Sequence, residues 1–566
     1  MAPLTKSYLG SRVESPPDLA EPVPRVARCG MEFNLADLFE KVAEAVPERT
    51  ALIAGDQVRT YAQWDERANR LANALIERGI RPGDHVGIYS YNRVEWLEAM
   101  VGVFKARAVP INVNYRYLED ELTYLFANAD LKAVIYEAEF GPRLANIAAG
   151  LPQLRTYLCL TDETGSDLSV PGAVAYEDVL ARASGDRPGL DRSPDDLYIL
   201  YTGGTTGLPK GVMWRSEDAF FGAMGGGNWG GPGITVPEEI ALSATAAPAP
   251  LVMLILPPLM HGSAQWAAFN GVFQGATIVL NPARRFDPNQ VLGLCSNVGA
   301  STLTLVGDAM ARPLIEAYDP QTHSLDRLSV IVSGGAILSP GVKSAFRERL
   351  PHCLVVDSFG ASETGAQGAA ADLTSDAAKF TMGEDTTVLS DDFTDAEPGV
   401  VGWLARRGYI PLGYYKDETK TAATFVHVDG IRWSIPGDRA IREHDGTITL
   451  LGRGSQSINS GGEKIFPEEV EGVLKTHPDV FDVLVVGVPD QRWGSVVAAV
   501  VEPRPGAEPT LEDLSRHVQE RIADYKAPKR VLIVDAVVRT PAGKPDYRWA
   551  RTVAEAANTS TLGSER

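Results

Sequence analysis

From about Asn34 onward the chain alternates amphipathic stretches, apolar every three or four positions, with short apolar runs. LADLFEKVAEAV at 35–46 and WDERANRLANALIERG at 64–79 carry the helical period. GDHVGIYSYN at 83–92, EWLEAMVGVFKA at 95–106 and VPINVN at 109–114 continue as strand, helix and strand. Such alternation predicts α/β layers with a largely parallel sheet. LVMLIL at 251–256 is bracketed by prolines and far shorter than the ~20 residues of a membrane helix, so it reads as a buried strand. After GRGSQSINSGG at 452–462 the pattern becomes compact. Helices at 467–478 and 511–523 and strands at 482–490, 496–503 and 530–535 predict a separate small α/β domain.

With 566 residues the chain exceeds what one apolar core usually serves. The expected division is an irregular leader (1–30), a large domain (31–452), a small domain (453–550) and a disordered tail (551–566). A net charge of −20 disfavours a broad nucleic-acid face, which would need clustered Lys and Arg. The four cysteines, Cys29, Cys159, Cys295 and Cys353, lie far apart without metal-ligand spacing, so buried free thiols in a reducing compartment are expected. No basic stretch followed by an apolar one opens the chain, so a cytoplasmic protein is expected. Peripheral membrane contact and a homodimer stay open.

The chemistry concentrates in LYTGGTTGLPKG at 200–211, which holds four glycines and three threonines together with Lys210. Glycines admit close backbone approach, and the hydroxyls and the ammonium can meet an anion, so this is phosphate-handling chemistry. It is not a Walker A loop, because no GK[ST] closes it. GGGNWG at 225–230 formally matches GxGxxG, but no predicted strand leads into it; a loop beside a ligand pocket fits better.

The glycine-threonine loop resembles the phosphate-binding signature of the adenylate-forming superfamily, which includes acyl-CoA synthetases, luciferases and peptide-synthetase adenylation domains. RTYAQWDERANRLANAL at 59–75, PPLMHG at 257–262, SGGA at 333–336, DSFGASETG at 357–365, RWSIPGDRA at 432–440, SINSGGEKIFPEEVE at 457–471 and RTPAGKPDYRWA at 539–550 follow in the family's order. The resemblance implies a large N-terminal domain of layered α/β sheets with a small mobile C-terminal α/β domain. It also implies an enzyme that joins a carboxylic acid to CoA through acyl-AMP, with ATP and Mg²⁺.

By the same resemblance Thr202, Gly203, Gly204, Thr205, Thr206, Gly207 and Lys210 hold phosphates. Gly335, Ala336, Asp357, Ser358, Phe359 and Gly360 surround the adenine, with Ser362 offering a hydroxyl to phosphate. Glu363 is the Mg²⁺ ligand, Asp438 and Arg453 meet the ribose, and His261 is an acyl-pocket wall and gate with no general-base role. Gly461 and Gly462 leave room for the pantetheine arm, and Lys544 is the mobile cation of the first half-reaction. Phe359 and Ser362 replace the family's usual Tyr and Thr, Pro436 replaces Thr, and Ser455 stands where the hinge usually has Asp or Lys. The missing hinge charge puts the ion pairing that biases one conformation in doubt. GDAMARPL at 307–314 and the segments around Lys210, Gly461 and Lys544 look most like actinobacterial ligases for steroid side-chain or long-chain fatty acids. A medium-chain or aryl acid ligase, an amino-acid or carrier adenylating enzyme, a luciferase-like oxygenase and a nonenzymatic nucleotide sensor are the alternatives; retention of Glu363 and Lys544 speaks against the last.

Overall fold

The computed structural model describes residues 32–161, 170–202, 208–228, 231–247, 249–336, 338–370, 379–453, 456–460, 463–490, 494–540 and 543–562. The leader therefore lies outside the described residues, as do 203–207, 454–455 and 461–462. The side chains of Arg453, Asn459, Glu463, Lys464, Gly494 and 557–562 are also outside them.

The first long helix shows how the local pattern becomes structure. Thr60 accepts a hydrogen bond from the Gln63 amide while the Gln63 side chain accepts one from the Thr60 amide, closing a capping box that starts helix Tyr61–Glu77. Its buried residues Trp64, Ala68, Leu71, Ala72 and Leu75 fall on one face, as the sequence period requires.

Two sheets build the large domain. In one, strand Thr50–Ala54 is followed across the sheet by Thr277–Leu280, Val252–Ile255, Thr302–Leu305, Val330–Gly334 and Leu354–Ala361, all parallel. Beyond Ala361 the same sheet continues antiparallel through Gly365–Ala370, Lys379–Met382, Thr447–Arg453, Asp438–Arg442 and Val401–Arg406. The expectation of a largely parallel sheet thus holds for only half of it. The other half is made of short reversals that leave no room for crossover helices. The second sheet has a parallel centre of His85–Tyr89, Val109–Asn112, Leu131–Glu137 and Thr156–Leu160, and reaches the hairpin of Leu197–Thr202 with Lys210–Arg215. Cys159, Cys295 and Cys353 are buried free thiols. No described helix is long and apolar enough to cross a membrane.

The small domain packs helix Pro467–Leu474 and helix Leu511–Gln519 on one face of the strands Val480–Asp490, Gly494–Pro503 and Arg530–Ile533. Helix Tyr547–Leu562 covers the other face, burying Ala550 and Ala554 against Leu484, Val486 and Val500. This corrects the expected disordered tail: residues 551–562 belong to a helix whose apolar positions recur at helical spacing.

Glu471 is nearly fully buried in this domain, accepting a hydrogen bond from the Val485 amide at 2.8 Å and one from the Tyr547 hydroxyl at 3.3 Å. Burial pushes its carboxyl up to about 7, against the pull of Lys475. The folded domain therefore keeps a proton that the unfolded chain has released, and stability falls as pH rises from about 4.5 to about 7. Glu471→Gln is expected to flatten that part of a thermal-unfolding profile against pH; an unchanged slope would contradict the assignment.

Candidate active site

The carboxyl ends of the parallel strands open into one cavity of about 1380 Å³, the position where open α/β sheets bind ligands. Thr202, His261, Gly335, Ser358, Phe359, Gly360, Ser362 and Lys544 all line it. Residues from across the large domain and one from the small domain thus converge on a single space.

The cavity floor is the turn after Val330–Gly334 and the strand Leu354–Ala361. Gly335 adopts φ +83°, a conformation side chains resist, and a Cβ there would stand 3.7 Å from Lys544 Cε. Ser358 donates to the Ser333 carbonyl at 2.8 Å, tying strand to turn. Phe359 meets Phe380 edge-on at 4.7 Å between centroids, so its ring is held as a wall. At Gly360 a Cβ would fall 2.1 Å from the Gly365 carbonyl oxygen, which makes the hairpin impossible with a larger residue. The Ser362 carbonyl accepts from the Trp214 indole at 3.0 Å.

Lys544 is carried on a tight turn. The Thr540 amide donates to the Lys544 carbonyl at 2.7 Å, and the Thr540 hydroxyl accepts from the Lys544 amide at 3.1 Å. Facing it, His261 caps helix Gly262–Val272, and its Nε2 is buried with no hydrogen-bond partner among the described residues. Burial, with Lys544 and Arg116 nearby, lowers its imidazole to about 3, so it is neutral near pH 7.

Other expected site residues do not stand on the cavity wall. Lys210 pairs with Asp417, whose carboxyl is raised by burial but drawn below its usual value overall by Lys210 and Lys420. The Ala336 carbonyl accepts from the Ser333 hydroxyl at 3.3 Å. Glu363 is half-buried and accepts from the Tyr414 hydroxyl at 2.8 Å. Asp438 stands directly opposite Arg453 in the sheet register, which brings the two expected ribose residues together.

Asp357 requires a correction. It is 0% exposed, 3.1 Å from Lys343 Nζ, and accepts from the Leu338 amide at 3.2 Å. It braces the turn from behind, because strand geometry sends its side chain to the face opposite Ser358. Gly203, Gly204, Thr205, Thr206, Gly207, Gly461, Gly462 and the Arg453 side chain lie outside the described residues.

The sequence reading missed the far half of the cavity. Phe221, Met253, Trp266, Asn270 and Tyr409 line it. Phe221 stacks on Tyr409 at 4.6 Å. The glycine-rich stretch had marked a loop beside a pocket, and Gly225, Gly226 and Gly233 do line this end. Nothing local pointed to Trp266 or Tyr409.

A mixed sheet, a glycine turn on the cavity floor and a lysine delivered by a second domain are together the arrangement of an adenylate-forming enzyme. The model described as AMP-binding enzyme matches residues 39–415, and that described as AMP-binding enzyme C-terminal domain matches residues 469–544. The chain is 48% identical over 534 residues to a 3-oxocholest-4-en-26-oate--CoA ligase of Rhodococcus rhodochrous, covering 92% of this chain and 96% of that protein. It is 47% identical to a medium/long-chain-fatty-acid--CoA/3-oxocholest-4-en-26-oate--CoA ligase of Mycobacterium marinum, covering 93% and 97%. The crystal structure of the anthranilate CoA ligase AuaEII with anthranoyl-AMP superposes with a TM-score of 0.80 at 22% identity, over 94% of this chain and 99% of that one, a likeness of fold. The chain belongs to the AMP-binding enzyme family, and within it to the acyl-CoA synthetases.

Proposed function

We propose that the protein converts a hydrophobic carboxylic acid, a long-chain fatty acid or a steroid side-chain acid, to its CoA thioester, using ATP and releasing AMP and pyrophosphate. The observation that carries this reading is the continuity of one cavity from Lys544 and Gly335 to the wide end lined by Phe221, Trp266 and Tyr409. A polar end suited to a nucleotide and a roomy aromatic end suited to a bulky acyl group share the space where the two must react. The named activities of the two curated relatives support the substrate class. The cytoplasm, where ATP and CoA are available, is the proposed compartment.

In the first step a carboxylate oxygen attacks the α-phosphorus and pyrophosphate leaves. Thr202, Thr205 and Thr206 hold the β and γ phosphates, with Lys210 exchanging its Asp417 partner for phosphate, while Lys544 offsets negative charge as it builds at the reacting centre. Neutral His261 walls the acyl entrance without adding a second positive charge beside Lys544. In the second step the small domain turns about the segment near Ser455, Lys544 withdraws, and the hairpin at 457–464 takes its place. The CoA sulfur attacks the acyl carbon, the bond to phosphate oxygen breaks, and AMP departs with that oxygen.

The donor set fits Mg²⁺. Among the described residues no three His, Cys, Asp or Glu side chains converge as a metal cage. Mg²⁺ is commonly held by one or two carboxylates together with substrate phosphates. Glu363 would be its protein ligand: Tyr414 fixes Oε1, and Oε2 accepts no hydrogen bond among the described residues. Bound there, the ion would neutralise phosphate charge. Glu363→Gln is expected to raise the Mg-ATP concentration for half-maximal rate by on the order of tenfold or more. Unchanged metal dependence would remove Glu363 from that role.

The direct test incubates the protein with ATP, Mg²⁺, CoA and acids of graded length, including 3-oxocholest-4-en-26-oate. Acyl-CoA, AMP and pyrophosphate in equal amounts are expected. Accumulation of acyl-AMP with no acyl-CoA would assign a different acceptor.

A further inference from the structure

In this structure Lys544 lines the cavity, and besides the packing of helix Pro467–Leu474 beside strand Thr447–Arg453, several contacts between the domains fall on one helix of the large domain, Gly307–Ala317. The helix starts on the nucleotide turn: the Gly307 amide donates to Ser333 Oγ at 3.1 Å, and a Cβ on Gly307 would lie 2.7 Å from that of Ala336. The lysine turn rests on the same place, since a Cβ on Gly543 would stand 3.4 Å from Val306 and 3.7 Å from Ala309. One turn further along, Arg312 is buried, its guanidinium 5.5 Å from the centroid of Phe481 at the start of strand Val480–Asp490.

Arg312 is held by hydrogen bonds, and the strand that carries Phe481 is tied to the lysine turn. Arg312 donates to Asp308 at 3.2 Å and to Ser339 Oγ at 3.4 Å, and Asp308 accepts from the Ser339 amide at 2.8 Å. On the other side, Asp482 next to Phe481 accepts two hydrogen bonds of 2.7 Å from Arg539, the residue that opens the Lys544 turn. A planar cation fixed beside the Gly335 turn thus faces an aromatic ring on the strand that Asp482 ties to the lysine turn. A second contact, Arg504 with Glu316 at 3.7 Å, is between solvent-exposed side chains and is worth little by comparison.

We propose that Phe481 is a positioning residue, whose ring on Arg312 latches the small domain in the orientation that presents Lys544. The proposal rests on the reading of Lys544 as the cation of the first half-reaction. The latch must be weak enough to open in every cycle, and a desolvated cation–π contact has that scale. Its loss shifts the population away from the adenylating state and leaves the thioester-forming state unhindered.

The test separates the half-reactions in Phe481→Leu, which keeps apolar bulk but removes the π face, and in Phe481→Trp, which retains it. Acyl-AMP formation is measured by single turnover with ATP and acid, and thioester formation from supplied acyl-AMP and CoA. Phe481→Leu is expected to slow the first by about five- to tenfold and to leave the second unchanged or faster, while Phe481→Trp matches the wild type in both. Equal slowing of both steps, or a Leu variant indistinguishable from wild type, would overturn the latch and leave the ligase reading intact. A wild-type protein that forms no acyl-AMP from any acid would instead defeat the ligase reading, and the latch with it.

Discussion

Lys544→Ala lowers acyl-adenylate formation by on the order of 10²-fold or more while thioester formation from supplied acyl-AMP stays within about twofold of wild type. The size follows from preorganisation. The lysine stands on a turn closed by Thr540 and seated against Val306 and Ala309, with its chain over Gly335, so the charge is in place before the reaction begins. Neutral His261 is the imidazole beside it, and adds no competing charge near pH 7. The selectivity follows from the proposed domain turn, which would remove the residue before the thiol reacts. Equal loss in both half-reactions would reject this division of labour.

Lys343→Met destabilises the large domain by about 3–5 kcal/mol, because it leaves the Asp357 carboxylate buried without its cation. Asp357 is 0% exposed, its Oδ1 has no hydrogen-bond partner among the described residues, and burial already pushes its carboxyl up to about 6 against the pull of Lys343. Without Lys343 the folded state favours protonated Asp357 more strongly. The deficit measured by urea unfolding should therefore be largest near pH 8 and shrink as pH falls and Asp357 takes up a proton. Replacing Asp357 by Asn in the same chain should recover most of the loss. Because Asp357 braces the Leu338 amide behind the Gly335 turn, the single variant should also need more ATP. A variant as stable as wild type at pH 8 would contradict the bracing role.

The parallel half of the fold was legible because its strands and helices are continuous apolar or periodic runs. Val252–Ile255 and helix Tyr61–Glu77 lie where the pattern put them. The antiparallel half was not, since strand direction depends on loop geometry that alternation does not encode. Residues expected from contiguous motifs, such as Ser358 to Ser362, do line the cavity. Asp357 could have been separated from them by strand period alone: its neighbour Ser358 lines the cavity, so Asp357 must point away. The helix Tyr547–Leu562, where a disordered tail was expected beyond residue 550, could likewise have been found from the spacing of Ala550, Val553 and Ala554. Trp266, Tyr409 and the Phe481–Arg312 contact join segments far apart in the chain. Only the packed structure brings them together.

Attack of the carboxylate on the α-phosphorus of ATP can be followed with a single isotope measurement. With substrate acid labelled by ¹⁸O in its carboxylate, a single turnover with ATP and CoA should yield AMP carrying one ¹⁸O and unlabelled pyrophosphate, because the bridging oxygen leaves with AMP. Label in inorganic phosphate, with ADP as the nucleotide product, would mean attack at the γ-phosphorus and would contradict the adenylate mechanism.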